Sequence, residues 1–189
     1  MIFMNKKKIL IIIMLLIIIL VVIKIVTINR LCKKIDILYN AKNIFYVEND
    51  YNEHILSIKK RWLDLNSNKI LYKDIEYKFD NNDLSIDYTY INKISDKHYN
   101  DEEMTFNKNM ARELKNKLKR YFTYLISNAT INGIKCYKIN FWFDNKIVYI
   151  NKNNGLPVRM IIDDSEIIDC SFSFDSVVEE DFSFLDSIE

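Results

Sequence analysis

Residues 137–174 read YKINFWFDNKIVYINKNNGLPVRMIIDDSEIIDCSFSF, and this stretch decides the fold. The stretch contains four strand-like segments, and apolar and polar side chains alternate along three of them, which is typical of strands that bury one face. Short turns separate the segments, and Gly155 can adopt the positive φ that such a turn favours. Segments joined by turns this short pair as antiparallel neighbours. The stretch therefore predicts an antiparallel meander with one apolar face and one mostly polar face.

The residues before the meander predict further strands at 44–47, 55–65, 70–79 and 84–91. Within the last of these segments, apolar and polar side chains alternate without a break. The segment that follows it, 92–106, is polar and mixed in charge, and it predicts a surface loop. Counted with the meander, these segments predict about eight strands.

One segment of the same region, 107–126, predicts an amphipathic helix. Its apolar residues recur at the spacing of one helix face, and they are Met110, Leu114, Leu118, Tyr121, Phe122 and Leu125. Basic residues such as Arg112 and Lys119 face elsewhere. We expect this helix to pack on the apolar face of the sheet. A helix that lies on a membrane surface would show the same pattern, and this stays an alternative.

The N-terminal region predicts a membrane-spanning helix. Residues 9–23 are apolar without a break, and the apolar character continues after Lys24 to residue 28. A helix of about 20 residues rises about 30 Å, which is the thickness of the hydrocarbon layer. A cleaved signal peptide is the alternative, but the residues after the apolar run lack a small-residue cleavage pattern. The sequence therefore predicts an uncleaved, single-pass signal-anchor in the cell membrane, in contact with membrane lipids.

Basic residues flank this segment on both sides, so the positive-inside rule does not decide its orientation. These residues are Lys6, Lys7, Lys8, Lys24, Arg30, Lys33 and Lys34. The short N-terminus favours a cytoplasmic tip, with the large domain outside the cytoplasm. The predicted organisation is a cytoplasmic tip and transmembrane signal-anchor at 1–28, a juxtamembrane helix at 29–43, and an extracytoplasmic half-barrel domain at 44–189.

The composition excludes several classes of function. The formal net charge is +1, which gives no overall field to attract nucleic acid. The sequence contains no nucleophile elbow, zinc-protease motif or glycine-rich phosphate loop. Neither His54 nor His98 lies at ligand spacing from cysteines or carboxylates. We therefore expect no catalytic residues, no metal and no cofactor, and we do not expect an enzyme. Pairing of Cys136 with Cys170 stays open.

The width of the sheet sets a packing problem. A helix is about 10 Å wide and strands lie about 4.8 Å apart, so one helix shields roughly two strands. The predicted helices cannot cover about eight flat strands, and an apolar face must be covered. The sequence therefore predicts an α+β fold: a curved antiparallel sheet, an unclosed β-barrel, wrapped on a helix and preceded by one transmembrane helix. Such a fold can leave an apolar cavity.

The C-terminal third carries a set of short strand and turn motifs. They are 132–139 (NGIKCYKI), 147–150 (IVYI), 154–159 (NGLPVR) and 177–182 (VVEEDF). These motifs resemble the C-terminal half of outer-membrane lipoprotein carrier-like (LolA/LolB-like) domains, in particular the membrane-anchored type of Gram-positive bacteria. Two departures are Asn154, where threonine is usual, and the absence of a proline after Phe184.

The resemblance implies an unclosed antiparallel barrel with a helical lid, located outside the cytoplasm. It also implies a non-enzymatic domain that binds a lipid or lipoprotein acyl chain in the concave face of the sheet. The candidate lining residues are apolar residues of the helix and of the meander: Met110, Leu114, Leu118, Phe122, Tyr137, Phe141, Phe143, Met160, Phe172 and Phe174. The same residues would equally form a filled core. In that case the chain would be an envelope interaction or regulatory module with no small-molecule ligand.

Overall fold

The structure, a computed structural model, describes residues 6–52, 55–64, 69–80, 83–95, 106–120 and 123–175. Three helices lie in these ranges: α1 (Lys6–Lys34), α2 (Ile37–Asn40) and α3 (Phe106–Leu118). The strands in the same ranges are β1 (Asn43–Tyr51), β2 (Ile55–Asp64), β3 (Lys69–Asp80), β4 (Asp83–Ser95), β5 (Tyr124–Ile131), β6 (Ile134–Phe141), β7 (Lys146–Asn151), β8 (Pro157–Ile162) and β9 (Glu166–Phe174).

All strands belong to one nine-stranded sheet with the order β4-β3-β2-β1-β9-β8-β7-β6-β5. Every ladder in it is antiparallel. The ladder between β1 and β9 joins two meanders, one on each side. Strands β4 and β5 lie at the two edges, and no ladder joins them within the described ranges, so the sheet is unclosed. The predicted antiparallel meander is thereby confirmed.

The predicted helix 107–126 is wrong in its second half. Helix α3 ends at Leu118, and β5 begins at Tyr124. Strand β5 pairs with β6 along its whole length, from Tyr124 opposite Phe141 to Ile131 opposite Ile134. Strand β4 also continues to Ser95, four residues into the segment predicted as a loop. In both places the chain forms a strand because it pairs with a neighbouring strand, and the local sequence does not reveal that partner.

The two faces of the sheet follow from the register. Tyr46 lies opposite Phe172 in the β1–β9 ladder, and Val148 lies opposite Ile139 and Met160 in neighbouring ladders. Side chains opposite one another point to the same side. This side carries the buried core and packs against the helices, and we call it the helix face. The other side, the outer face, carries the tilted ring pair of Phe45 and Trp62, with centroids 5.0 Å apart.

Helix α1 is continuous from Lys6 to Lys34 and crosses the predicted boundary at residue 28 without a break. It is long and apolar enough to cross a membrane by length and composition. Its first two-thirds are exposed, whereas Ile28, Leu31 and Cys32 are buried in the core of the domain. Burial of an aliphatic side chain contributes about 1.5–3 kcal/mol. The C-terminal end of α1 is therefore a structural element of the domain as well as a continuation of the apolar segment.

Two contacts fix the direction of α1 along the sheet. The Lys24 ammonium donates a 2.6 Å hydrogen bond to the main-chain carbonyl of Tyr124, at the start of β5. Lys34 donates to the carbonyl of Lys152, in the turn after β7. Because β5 and β6 are antiparallel, these two carbonyls lie at opposite ends of the strands. Helix α1 therefore leaves the domain at the sheet end where β5 begins and β6 ends.

Candidate ligand cavity

A partly open cavity of about 380 Å³ lies between α3 and the helix face of the sheet. Its apolar wall consists of Leu114, Phe141, Val148, Pro157, Met160 and Cys170. Its polar wall consists of Tyr46, Glu48, Lys59, Arg61, Glu113, Lys117, Asp144 and Lys146. The cavity thus combines an apolar surface with charges of both signs.

Strand alternation positions the apolar wall. Phe141 at the end of β6 is almost fully buried and packs its ring on Tyr124, with centroids 5.2 Å apart. Val148 in the middle of β7 has Met160 as its ladder partner in β8, so both side chains reach the helix face. Leu114 closes this side from α3, where it is partly buried against the core. These residues present methyl, thioether and ring carbon atoms to the cavity.

Half of the polar wall comes from β1 and β2, where charged residues occupy positions on the helix face. Glu48 and Lys59 lie opposite each other in the ladder and form an ion pair of 3.0 Å. Arg61 reaches both carboxylate oxygens of Asp74 on β3. From α3, Lys117 pairs with Glu113 at 2.9 Å. The charges are therefore largely compensated by partners, as partly buried ions require.

The protonation states of the wall follow from these contacts. Burial alone lowers the pKa of Lys59, but the hydrogen bond and negative charge of Glu48 outweigh it, so the pKa is raised and Lys59 stays cationic. Burial raises the pKa of the Tyr46 hydroxyl, which remains protonated and donates to Glu48. Burial likewise raises the pKa of the Cys170 thiol to about 12. Cys170 is thus a neutral thiol and not an activated nucleophile.

The structure brings three of the candidate lining residues to the cavity wall: Leu114, Phe141 and Met160. Leu118 lies instead in the core, where it is fully buried. Tyr137, Phe172 and Phe174 also lie on the helix face, partly buried against the core, but not on the cavity wall. The side chain of Met110 and all of Phe122 lie outside the described part of the chain.

Phe143 does not lie on the wall of this cavity. Strand β6 ends at Phe141, and the next four residues form a turn. The alternation that predicts Phe143 on the helix face therefore ends at Phe141. The side chain is 82% exposed. It borders a smaller surface depression of about 190 Å³, together with Lys117, Arg120 and Thr123.

Sequence reasoning missed the charged side of the cavity. The alternation of β1 could have predicted it, because Ile44 and Tyr46 on the helix face place Glu48 on that same face. In β2 the matching positions are Leu63, Arg61 and Lys59, whereas Trp62 and Ile58 face the other way. The apolar residues of β2 therefore predict a buried face on the side that is the outer face in the structure.

No other chemistry is assembled in the described ranges. They contain no group of three or more histidine, cysteine, aspartate or glutamate side chains that could hold a metal ion. Cys136 and Cys170, whose pairing the sequence leaves open, are free and buried, as is Cys32.

Comparisons with known proteins place the chain near two solved structures. No protein-family model and no curated protein matches the sequence. A crystal structure of MucB is similar over 82% of this chain and 61% of the MucB chain, with 8% identity and a TM-score of 0.43. A DUF1329 family protein from Desulfovibrio piger is similar over 83% of this chain and 95% of that chain, with 11% identity and a TM-score of 0.25. Neither similarity assigns a family or a function to this chain.

Proposed function

We propose that this chain is a non-enzymatic, membrane-tethered domain that binds an acyl chain, from a lipid or a lipoprotein, in the cavity beneath α3. In this proposal Leu114, Phe141 and Met160 contact the chain, and α3 covers it as a lid. The domain lies outside the cytoplasm and is of the LolA/LolB-like, membrane-anchored type that the sequence resembles. Tethering favours local binding or sensing over a diffusing carrier.

The observation that carries the proposal is the cavity itself. Its volume of about 380 Å³ lies within the range of about 300–1,000 Å³ that is typical of small-molecule sites. Carbon and sulfur atoms line one side of it, and such a surface favours an aliphatic occupant over a polar one. The charges on the other side suit a ligand that is amphipathic, with a polar head beside its apolar chain.

The distribution of the wall over the strands supports a sheet that curves around α3. The wall residues come from β2, β1, β9, β8, β7 and β6, which are consecutive neighbours in the sheet. Laid flat, these strands would extend about 24 Å, whereas a helix is only about 10 Å wide. One cavity under one helix can contact all of them if the sheet bends towards that helix.

Binding of a fluorescent long-chain fatty acid to the full chain in detergent micelles tests the proposal. Leu114→Glu places a charge on the apolar wall and should weaken binding at least about ten-fold, because burying an unpaired carboxylate costs more than 1.4 kcal/mol. Asn116→Glu, on the exposed side of α3, is the matched control and should bind as the wild type does. Equal affinity in all three proteins, with α3 still helical, would refute the proposal.

The location outside the cytoplasm needs its own test. Protease added to intact cells should remove the domain and leave a membrane-protected fragment that contains the start of α1. Full protection of the domain until the cells are permeabilised would place it in the cytoplasm and overturn this part of the proposal.

One observation favours a second function, an interaction or regulatory module without a small-molecule ligand. The outer face carries Phe45 and Trp62 as a partly exposed ring pair, next to the nearly buried Leu71. Aromatic side chains of this kind are common at protein interfaces. If Trp62→Ala abolished the biological activity of the chain while Leu114→Glu left it intact, the second function would be favoured.

A further inference from the structure

The direction of α1 determines which end of the sheet is nearest the membrane. Helix α1 leaves the domain beside Tyr124, where the Lys24 ammonium holds the Tyr124 carbonyl and lies 4.5 Å from the centre of its ring. The exposed apolar part of α1, from Ile9 to Ile23, continues outward from this point. Whatever membrane the helix enters therefore faces the end of the sheet where β5 begins.

The length of the apolar run places that end close to the lipid. The uninterrupted apolar segment from Ile9 to Ile23 rises only about 22 Å, whereas the hydrocarbon layer is about 30 Å thick. Lys24 ends this segment and holds Tyr124 beside it, and Ile28, one helix turn further on, already lies in the core of the domain. The difference between the length of the segment and the thickness of the hydrocarbon layer is accommodated if this end of the domain enters the membrane interface.

The side chains exposed at this end suit such an environment. The turn between β6 and β7 follows Phe141, the ladder partner of Tyr124, so it lies at the same end. In this turn Trp142 is 54% exposed and Phe143 is 82% exposed, and Leu125 on β5 is 58% exposed. Tryptophan is enriched where membranes meet water, because its ring is apolar and its N–H is polar. These exposed apolar side chains would be costly in water but are stabilised at a lipid interface.

The surrounding charges are compatible with lipid head groups. Lys119 and Arg120 are exposed between α3 and β5, beside the depression that Phe143 borders. Each basic residue near an anionic membrane surface contributes about 1 kcal/mol. The β6–β7 turn itself carries the exposed Asp144, and its Asn145 amide donates a 3.0 Å hydrogen bond to the carboxylate of Asp163 in the acidic turn between β8 and β9. Basic and acidic side chains therefore lie side by side at this end, and its exposed apolar rings, rather than its charge, favour the interface.

We infer that the β6–β7 turn, with Trp142 and Phe143, and the start of β5, with Leu125, form a second membrane contact that inserts into the head-group region of the bilayer crossed by α1. This contact fixes the domain against the membrane at two points. It turns the end of the cavity that contains Phe141 and Lys117 towards the lipid. The inference does not depend on what the cavity binds.

Tryptophan fluorescence of the full chain tests this contact. The sequence has two tryptophans, so Trp62→Phe leaves Trp142 as the sole emitter, and Trp142→Phe leaves Trp62. Trp62 is the matched control, because it lies on the outer face opposite Phe45, at the sheet end away from the β6–β7 turn. Both proteins are reconstituted in vesicles of phosphatidylcholine and phosphatidylglycerol, with or without bromine on the acyl chains.

We expect brominated lipid to quench Trp142 roughly two-fold or more, and Trp62 much less, because only an interfacial ring approaches the chains. In a Trp62→Phe, Leu114→Glu protein the quenching of Trp142 should persist, which separates a bilayer contact from a lipid held in the cavity. Quenching of Trp142 no greater than that of Trp62 would overturn the inference. So would quenching that disappears with Leu114→Glu.

Discussion

Gly155 allows the turn between β7 and β8 to approach the end of α1. Its φ is +77°, and a Cβ atom at this position would lie 3.0 Å from the Cβ of Lys34 and 3.1 Å from the main-chain nitrogen of Ile35. Backbone atoms cannot yield as a flexible side chain can. The glycine therefore serves both the turn conformation and the packing of the end of α1 against this turn.

Gly155→Ala should destabilise the domain more than Gly133→Ala does. Both glycines have positive φ, so both variants pay about 1–2 kcal/mol for the left-handed conformation. Only Gly155→Ala also meets atoms of α1, since a Cβ at Gly133 meets nothing within 4 Å. Thermal unfolding of the full chain in detergent measures both losses. Equal losses would show that the contact between α1 and this turn contributes nothing.

Asp50 is a source of pH dependence. Its Oδ1 atom is buried, without a hydrogen-bond partner in the part of the chain that the structure describes. Burial first, and then the charge of Glu166, raise the pKa of Asp50. A carboxyl whose pKa is raised in the folded state costs stability when it is ionised. That cost is full above the folded pKa, and it disappears as the pH falls below the unfolded value of about 3.9.

Asp50→Asn should therefore raise the unfolding temperature at pH 7.5, and the gain should vanish at about pH 3.5, where the wild-type carboxyl is protonated. The control is Asp169→Asn, because Asp169 accepts two hydrogen bonds from Arg159, at 2.5 and 2.7 Å. This second variant should lower the unfolding temperature at neutral pH. A destabilising effect of Asp50→Asn at pH 7.5 would show that its ionised form has a stabilising partner.

The connection between α3 and β5 shows what the sequence could and could not predict at the level of elements. Tyr121, Phe122 and Leu125 continue the apolar spacing of the helix, and no glycine or proline marks its end. From Tyr124 onward, however, the side chains alternate as in a strand, with Tyr124 buried and Leu125 exposed. Pairing with β6 favours the strand, and no pattern within the segment itself reveals that a partner strand is present.

The meander was predictable for the converse reason. Its alternation runs through β6, β8 and β9, and the short turns on both sides of β7 force neighbouring strands to pair. Phe143 differs from its predicted position because alternation assigns a side chain to a face of the sheet only within a strand, and β6 ends at Phe141. Two local features, the asparagine with positive φ at Asn145 and the acidic residue before it, indicate that the chain is already turning.

Tyr124→Phe should loosen the end of α3. The Tyr124 hydroxyl donates to the carbonyl of Leu118, the last residue of α3, and the side chain is 1% exposed. Removing the hydroxyl leaves this carbonyl without that donor and should cost about 1 kcal/mol of unfolding free energy. Hydrogen exchange should quicken in the last turn of α3 and not in β7. Unchanged exchange throughout α3 would mean that this hydrogen bond does not hold the helix end.

At the scale of the whole molecule, the sheet and the three helices share one core. Side chains of α1, α2, α3 and six strands belong to the same buried cluster. The width of the predicted sheet indicated that it must curve and can leave a cavity, and Leu114, Phe141 and Met160 are the candidate lining residues that lie on the cavity wall. The alternation of β1 indicates that Glu48 shares a face with Ile44 and Tyr46, but that this face borders the cavity follows only from the tertiary structure.

The most direct measurement of the central claim is native mass spectrometry of the full chain, extracted from its own membranes in a mild detergent. The wild-type protein should carry an adduct that contains an acyl chain, Asn116→Glu should retain it, and Leu114→Glu should lose it. A wild-type protein free of adduct that also fails to take up added fatty acid would contradict the account, as would an identical adduct on all three proteins.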